Sequence, residues 1–116
     1  MKMNELAVRL GFRDLTPELA DTDVDILEGY TSDLLSDVLA HAPADGVLVT
    51  IQVHMNVVAV AVHAELAAVV FAHGRTPEED VRLKAVEEGV PLFVAEECAF
   101  EVTGRLYQLG VRGPRS

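Results

Sequence analysis

A chain of 116 residues, half of them hydrophobic, is long enough for one domain with its own core. Its formal net charge of −10 would repel phosphate backbones and anionic membranes, so we expect neither nucleic acid nor membrane as a partner. The single cysteine, Cys98, cannot form an internal disulfide, and we find no secretory leader and no apolar run of membrane-spanning length, which together predict a cytoplasmic location.

The N-terminal part predicts a helix, a loop and a strand. Residues 4–10 form the helix, and Gly11 follows as its C-terminal cap. Turn-forming residues make 12–23 a loop. The strand begins at Val24 and runs toward Tyr30.

A second helix is predicted over residues 33–41. Thr31 or Ser32 is expected to cap its N-terminus, and the turn at residues 42–46 ends it. Apolar residues recur at the helical period and predict the buried stripe: Leu34, Leu35, Val38 and Leu39.

The centre of the chain predicts a strand, a crossover helix and another strand. Residues 47–53 and 67–72 are the strands, and their almost continuous apolar character is typical of strands buried on both faces. The valines of residues 56–66 favour a strand, and a β-hairpin is therefore the alternative. We predict a helix because parallel strands need a crossover of about a dozen residues.

This crossover helix is apolar nearly all round, a pattern usual for helices covered on both sides. In a domain of this size the second cover is expected to be another subunit. The predicted homodimer interface consists of Val57, Val58, Val60, Ala61 and Val62.

The C-terminal part predicts a capped helix, a short strand, a final helix and a tail. The helix begins at Thr76, with Pro77 in its first turn and Glu79 completing a capping box, and it ends at Gly89. The remaining elements are a strand over 91–95, a helix over 98–109 with Phe100, Val102, Leu106 and Leu109 near one face, and a frayed basic tail over 111–116.

These elements predict an α/β fold with a small parallel sheet of about four strands flanked by helices. Residues 1–116 form a single domain in this prediction. Its core is residues 24–110, preceded by the helix and loop of 1–23 and followed by the tail of 111–116.

Polar residues gather where the predicted strands end. Ligands of open parallel sheets bind outside these carboxyl ends, where helix N-termini also favour anions. The candidate ligand-binding residues are Ser32, Asp33, Gln52, His54, Asn56, His73, Gly74, Arg75, Thr76 and Glu96. Helix capping is the more usual role for residues such as Thr31, Ser32, Asn56 and Thr76 at these positions, and Gln52 could serve only backbone groups.

No catalytic motif stands out in the sequence. It lacks a Walker loop, a dinucleotide-binding glycine motif, a nucleophile elbow and a paired-cysteine zinc motif. His54 and His73 with Glu96 are the set we considered for a metal or for acid–base chemistry, but no tight spacing supports either. We therefore expect no enzyme activity, no metal and no cofactor.

Residues 28–110 resemble the DRTGG-domain family. The resemblance lies in the order of elements, in Thr50-Ile51-Gln52, His54 and Asn56 after the second strand, and in the strand GVPLFV before a helix containing Phe-Glu. The family's Asp-Arg pair is absent, and its Thr-Gly-Gly stands here as Ala72-His73-Gly74.

This resemblance implies a parallel α/β fold similar to the N-terminal domain of HPr kinase. It implies a non-catalytic regulatory or dimerisation module of the kind that accompanies CBS domains in some pyrophosphatases and precedes the catalytic part of some phosphotransacetylases. The alternative is a sensor that binds an adenine nucleotide or another phosphorylated metabolite at the carboxyl edge of the sheet. The expected partners are a second copy, another protein, or such a nucleotide-like ligand.

Overall fold

A five-stranded sheet organises the part of the chain that the structure, a computed structural model, describes: residues 1–114. Its strands are β1 (Arg13–Asp14), β2 (Gly29–Thr31), β3 (Val47–Thr50), β4 (Ala68–Phe71) and β5 (Leu92–Val94). The helices are α1 (Met3–Leu10), α2 (Leu35–His41), α3 (Asn56–His63), α4 (Glu79–Glu88) and α5 (Ala99–Gln108), with a 3₁₀ helix over Pro17–Thr22.

The strands lie in the order β1-β5-β4-β3-β2. The pairs β2–β3, β3–β4 and β4–β5 are parallel, and one helix connects each pair. β1 pairs antiparallel with β5. The α/β class and the flanking helices are therefore confirmed. The prediction of about four parallel strands did not include the fifth, antiparallel strand β1 at the edge of the sheet.

Successive side chains of the parallel strands enter two separate cores, as the alternation of a strand requires. Val49 and Val70 pack with α1 and α5 in one core. Leu48 and Phe71 pack with α3 and α4 in the other. The strands are covered on both faces, which explains why their sequences are almost continuously apolar.

The segment predicted as the loop 12–23 is more ordered than expected. It contains β1, and Thr16 is buried with its hydroxyl oxygen accepting a hydrogen bond from the Leu92 amide at 3.0 Å. Arg82 of α4 donates to the Glu18 carboxylate at 3.0 Å. These contacts hold the segment against β5 and α4.

Two predicted strands are shorter in the structure. The strand expected from Val24 to Tyr30 begins only at Gly29. The strand expected over 47–53 ends at Thr50, because the next residue turns away from the ladder.

The crossover helix is confirmed and the hairpin alternative is wrong, since β3 and β4 pair in parallel register from Val47 with Ala68 onward. The predicted interface is wrong for Val57, Val58 and Ala61, because these side chains are buried in the core beneath α3 in the same chain. Of the five candidates, Val60 is half-buried and Val62 is exposed.

The predicted helix caps at Thr31 or Ser32 and at Thr76 are wrong. Leu34 is the N-cap residue of α2 and Glu78 that of α4, and neither makes a side-chain capping bond. Three apolar residues placed on buried helix faces are instead exposed: Leu34, Leu39 and Phe100.

The tail predicted to fray is anchored as far as residue 114. Val111 is buried, and the amide of Gly29 donates to the carbonyl of Arg112 at 2.8 Å. The Arg112 guanidinium lies 3.9 Å from the centre of the Tyr107 ring. Residues 115–116 of the predicted tail lie outside the described residues.

Candidate functional site

The carboxyl ends of the four parallel strands share one edge of the sheet, as predicted. We call this edge the strand-end edge. The candidate residues that follow these strands do not form one cluster. They divide into three groups, one after β2 and β3, one after β4 and β5, and one at the start of α3.

Asp33 joins the end of β2 to the end of β3. Its Oδ1 accepts hydrogen bonds from the Thr50 hydroxyl at 3.0 Å and from the Ile51 amide at 2.9 Å. The buried Thr50 oxygen also accepts from the Gln52 amide at 3.1 Å. Ser32 remains local, since its oxygen accepts from the Leu34 amide at 3.2 Å. Asp33 and Ser32 thus have clear structural roles here.

A tight turn brings the residues after β4 and β5 together. The His73 amide donates to the Glu97 carbonyl at 2.7 Å, and the Gly74 amide donates to the Ala95 carbonyl at 2.8 Å. His73 and Gly74 both have left-handed backbones, with φ of 62° and 65°. Such a backbone is uncommon for a residue with a side chain, and strained residues occur often at functional sites.

Two arginines accompany this turn. Arg13 of β1 donates to the Thr76 hydroxyl at 3.3 Å, and that hydroxyl in turn donates to the Gly74 carbonyl at 3.4 Å. Arg75 is exposed, and within residues 1–114 no carboxylate pairs with its guanidinium. The turn therefore carries cationic groups that could bind an anion.

Arg13 was not among the candidate residues. Its strand is two residues long and its ladder partner, Val94, lies far along the chain, so no local pattern indicates it. Glu97 follows β5 beside the candidate Glu96; it forms an ion pair with Arg105 of α5 and so neutralises one cation close to the turn.

His54 and Asn56 lie apart from that turn. His54 lines a shallow depression of about 300 Å³ together with Glu78, Asp80 and hydrophobic neighbours of α3 and α4. Asn56 is exposed at the first position of α3 and makes no capping bond. The acidic residues beside His54 make this group a poor place for a phosphate.

No group of three or more His, Cys, Asp or Glu side chains in residues 1–114 could hold a metal ion. Over the same residues, no helix is both long enough and apolar enough to cross a bilayer. His73 and Glu96 are near each other through the turn, whereas His54 is placed beside α4.

Three hydrogen-bonded side chains, Tyr30, Asp37 and His41, link β2 to α2. The Tyr30 hydroxyl donates to Asp37 at 2.8 Å, and Nδ1 of His41 lies 3.0 Å from the same carboxylate oxygen. The hydrogen bond from Tyr30 holds the pKa of Asp37 below its usual value and raises the pKa of Tyr30 itself. A tyrosine with a raised pKa keeps its proton, so Tyr30 remains the hydrogen-bond donor to Asp37 and ties β2 to α2.

The sequence matches no family model and no curated protein. The fold is similar to the structure of the CBS and DRTGG domains of the regulatory region of Clostridium perfringens pyrophosphatase, complexed with its activator, diadenosine tetraphosphate. The TM-score is 0.69 at 9% identity, and the match covers 91% of this chain and 46% of the other. The chain thus spans about half the length of that two-domain regulatory chain. The DRTGG resemblance is supported at the level of the fold.

Proposed function

We propose that the chain is a non-catalytic regulatory module that forms a homodimer through the outer face of α3. One observation carries the proposal, an exposed apolar stripe on that helix. Met55, Ala59 and Val62 follow one another at spacings of four and three residues, which places them on one helix face. Met55 is 38% exposed and Val62 is 42% exposed.

A groove of about 250 Å³ between α3 and α4 extends this stripe. Lys84 and Glu88 form an ion pair on its α4 side, with Nζ 3.2 Å from Oε1. The groove thus has an apolar floor and a polar rim, an arrangement common at protein interfaces. It replaces the buried side of α3 as the proposed dimer surface.

A second copy can place this surface against itself. A two-fold axis through Ala59 would place the stripe against itself, and the small side chain of Ala59 would let two α3 helices approach closely. No charge lies within the stripe to oppose such contact. The fold likeness to a regulatory region adds support for a regulatory role, and we place the module in the cytoplasm.

Light scattering of the purified chain at micromolar concentration tests the proposal. We expect a particle with twice the mass of the chain. A monomer would contradict self-association and would favour docking of a different protein.

The second candidate function is a nucleotide sensor at the turn after β4. Arg75, which lacks a carboxylate partner in the described chain, lies next to Thr76, and Thr76 is held by Arg13. The similar regulatory region binds diadenosine tetraphosphate, a polyanion that would suit two guanidinium groups. A thermal-shift panel with adenine nucleotides and this dinucleotide tests it, since a ligand at a hundred times its Kd stabilises by about 2.7 kcal/mol.

A further inference from the structure

A cavity of about 240 Å³ lies away from the outer face of α3 and reaches the strand-end edge at Thr31, the last residue of β2. It is bounded by the outer edge of β2, by α5 and by residues 111–114. Its floor is apolar and includes Val47, Val49 and Leu106. A cavity of roughly 150 Å³ lined by such residues accommodates benzene, so this one has room for a single ring with a short substituent.

The charge around this cavity is unlike that of the whole chain. The chain has 19 acidic residues and a net charge of −10, yet among the described residues that line the cavity none is acidic. Arg112 is the cation in this lining. Its guanidinium lies over the Tyr107 ring and donates to the Tyr107 carbonyl at 2.8 Å, and no ion pair occupies it within residues 1–114.

Polar donors are also available at the other end of the cavity. The hydroxyl oxygens of Thr31 and Thr103 are 2.7 Å apart, so one donates to the other and the second keeps a proton for another acceptor. Thr103 and Tyr107 are one helical turn apart on α5, a rise of about 6 Å. The hydroxyl pair therefore lies about one helical turn from the residue over whose ring the guanidinium stacks.

The edge of β2 adds backbone donors and acceptors. Residue 112 pairs with the edge through the Gly29 amide; Pro114 has no N–H to donate to the Gly29 carbonyl, and no hydrogen bond joins the Thr31 amide to the described part of the tail. Alternation along a parallel strand turns the amide of Thr31 outward, beyond the point where the tail pairs. This amide is a further hydrogen-bond donor beside the hydroxyl pair.

We propose that this cavity binds a small monocarboxylate with an apolar body the size of one ring. The carboxylate pairs with Arg112, and the body lies against the exposed apolar surfaces of Tyr107 and Pro114, with the buried Val47, Val49 and Leu106 beneath. A guanidinium binds a carboxylate in a planar, bidentate manner, and no described lining residue is acidic. Glu28 pairs with Arg112 along the sheet edge but is not among the lining residues.

An NMR titration of the isotopically labelled full chain with phenylacetate tests the site. We expect saturable shifts at the amides of Thr31, Val47 and Arg112, with a Kd on the order of 1 mM for so small a ligand. The neutral analogue 2-phenylethanol is expected to shift the same amides with about tenfold weaker affinity.

Substitutions separate the charge from the apolar part. Arg112→Gln is expected to weaken phenylacetate binding about tenfold and to leave 2-phenylethanol unaffected, while Arg112→Lys, which keeps the charge but not the planar fork, restores only part of the affinity. Thr103→Phe, which introduces a ring at the cavity wall, is expected to abolish binding of both probes. Arg9→Gln removes the same charge from exposed α1 and serves as the matched control, with unchanged affinity.

Three results would overturn the proposal: no saturation at these amides up to about ten times the expected Kd, equal affinity for the acid and the alcohol, or an unchanged phenylacetate affinity in Arg112→Gln. The same spectra report whether each variant is folded.

Discussion

Gly74 and Glu96 are packed so closely that a methyl group on Gly74 would lie 2.6 Å from Oε2 of Glu96. The relationship connects the end of β4 to the end of β5. It also requires glycine for a second reason, because Gly74 has a φ of +65°. The turn that carries Arg75 is therefore defined by backbone conformation and by a neighbouring carboxylate together.

Gly74→Ala is expected to destabilise the chain more than Gly89→Ala does. Gly89 has a similar φ of +75° but open space around it, so its substitution measures the left-handed strain alone, about 1 kcal/mol. Gly74→Ala should lose more free energy of unfolding than Gly89→Ala, and this additional loss measures the clash with Glu96. It stays below about 1 kcal/mol, because that carboxylate can move. Urea denaturation of both variants provides the comparison.

The double variant Gly74→Ala/Glu96→Ala is the control for this clash. Removing the carboxylate is expected to abolish the additional loss of stability caused by Gly74→Ala and to leave only the cost of the left-handed backbone. Equal losses in Gly74→Ala and Gly89→Ala would show that the contact with Glu96 has no energetic effect.

Asp33→Ala is expected to lower the free energy of unfolding by about 1–3 kcal/mol, since a carboxylate that accepts two hydrogen bonds is lost and the buried Thr50 hydroxyl loses its acceptor. Asp21→Ala removes an exposed carboxylate from the 3₁₀ helix and is expected to change stability by less than about 0.5 kcal/mol. Chemical denaturation that shows equal effects would contradict the structural role of Asp33.

Asp37→Asn is expected to destabilise the chain at neutral pH but not in acid. The pKa of Asp37 is held below its usual value of 3.8, chiefly by the Tyr30 hydroxyl. The stabilisation by its ionised form is therefore fully present above the unfolded pKa and is lost as the pH falls through the lower folded pKa. Urea melts at several pH values measure the difference between the two proteins.

The matched control for this pH dependence is Asp21→Asn. Its free energy of unfolding is expected to stay close to that of the wild type at every pH tested. If Asp37→Asn remains less stable than the wild type by the same free energy well below pH 3.8, the ionised Asp37 carboxylate is not the source of the stabilisation.

Arg75→Ala is expected to reduce any thermal stabilisation by a polyphosphate ligand, because it removes a guanidinium that no carboxylate occupies in the described chain. Arg9→Ala, on α1, is the control for the change in net charge. If a nucleotide stabilises both variants and the wild type equally, the ligand does not bind at the turn after β4.

The parallel part of the fold was predictable because its signals are local and agree with one another. Continuous apolar runs marked β3 and β4, and the crossover between them had to be long enough for a helix. The antiparallel strand β1 could not be predicted, since Arg13 and Asp14 carry no strand pattern and depend on pairing with β5.

Helix starts and exposed faces were predicted less well. Thr76 had the residue type and spacing of a capping box, yet its hydroxyl interacts with Gly74 and Arg13, and α4 begins three residues later. A helix pattern also could not tell that Phe100 faces outward, because α5 meets the sheet only with its other side. The same holds for the candidate site. The sequence predicted which residues follow the strands, but it could not predict which of those residues contact one another.

The most direct test of the proposed homodimer compares Val62→Asp with Val8→Asp by light scattering. Val8 is 83% exposed on α1, so the same substitution there controls for the added charge. We predict that the wild type and Val8→Asp are dimers and that Val62→Asp is a folded monomer, because a charge would be buried without a partner in the dimer. A monomeric wild type, or a Val62→Asp variant that remains dimeric, would contradict the proposed interface.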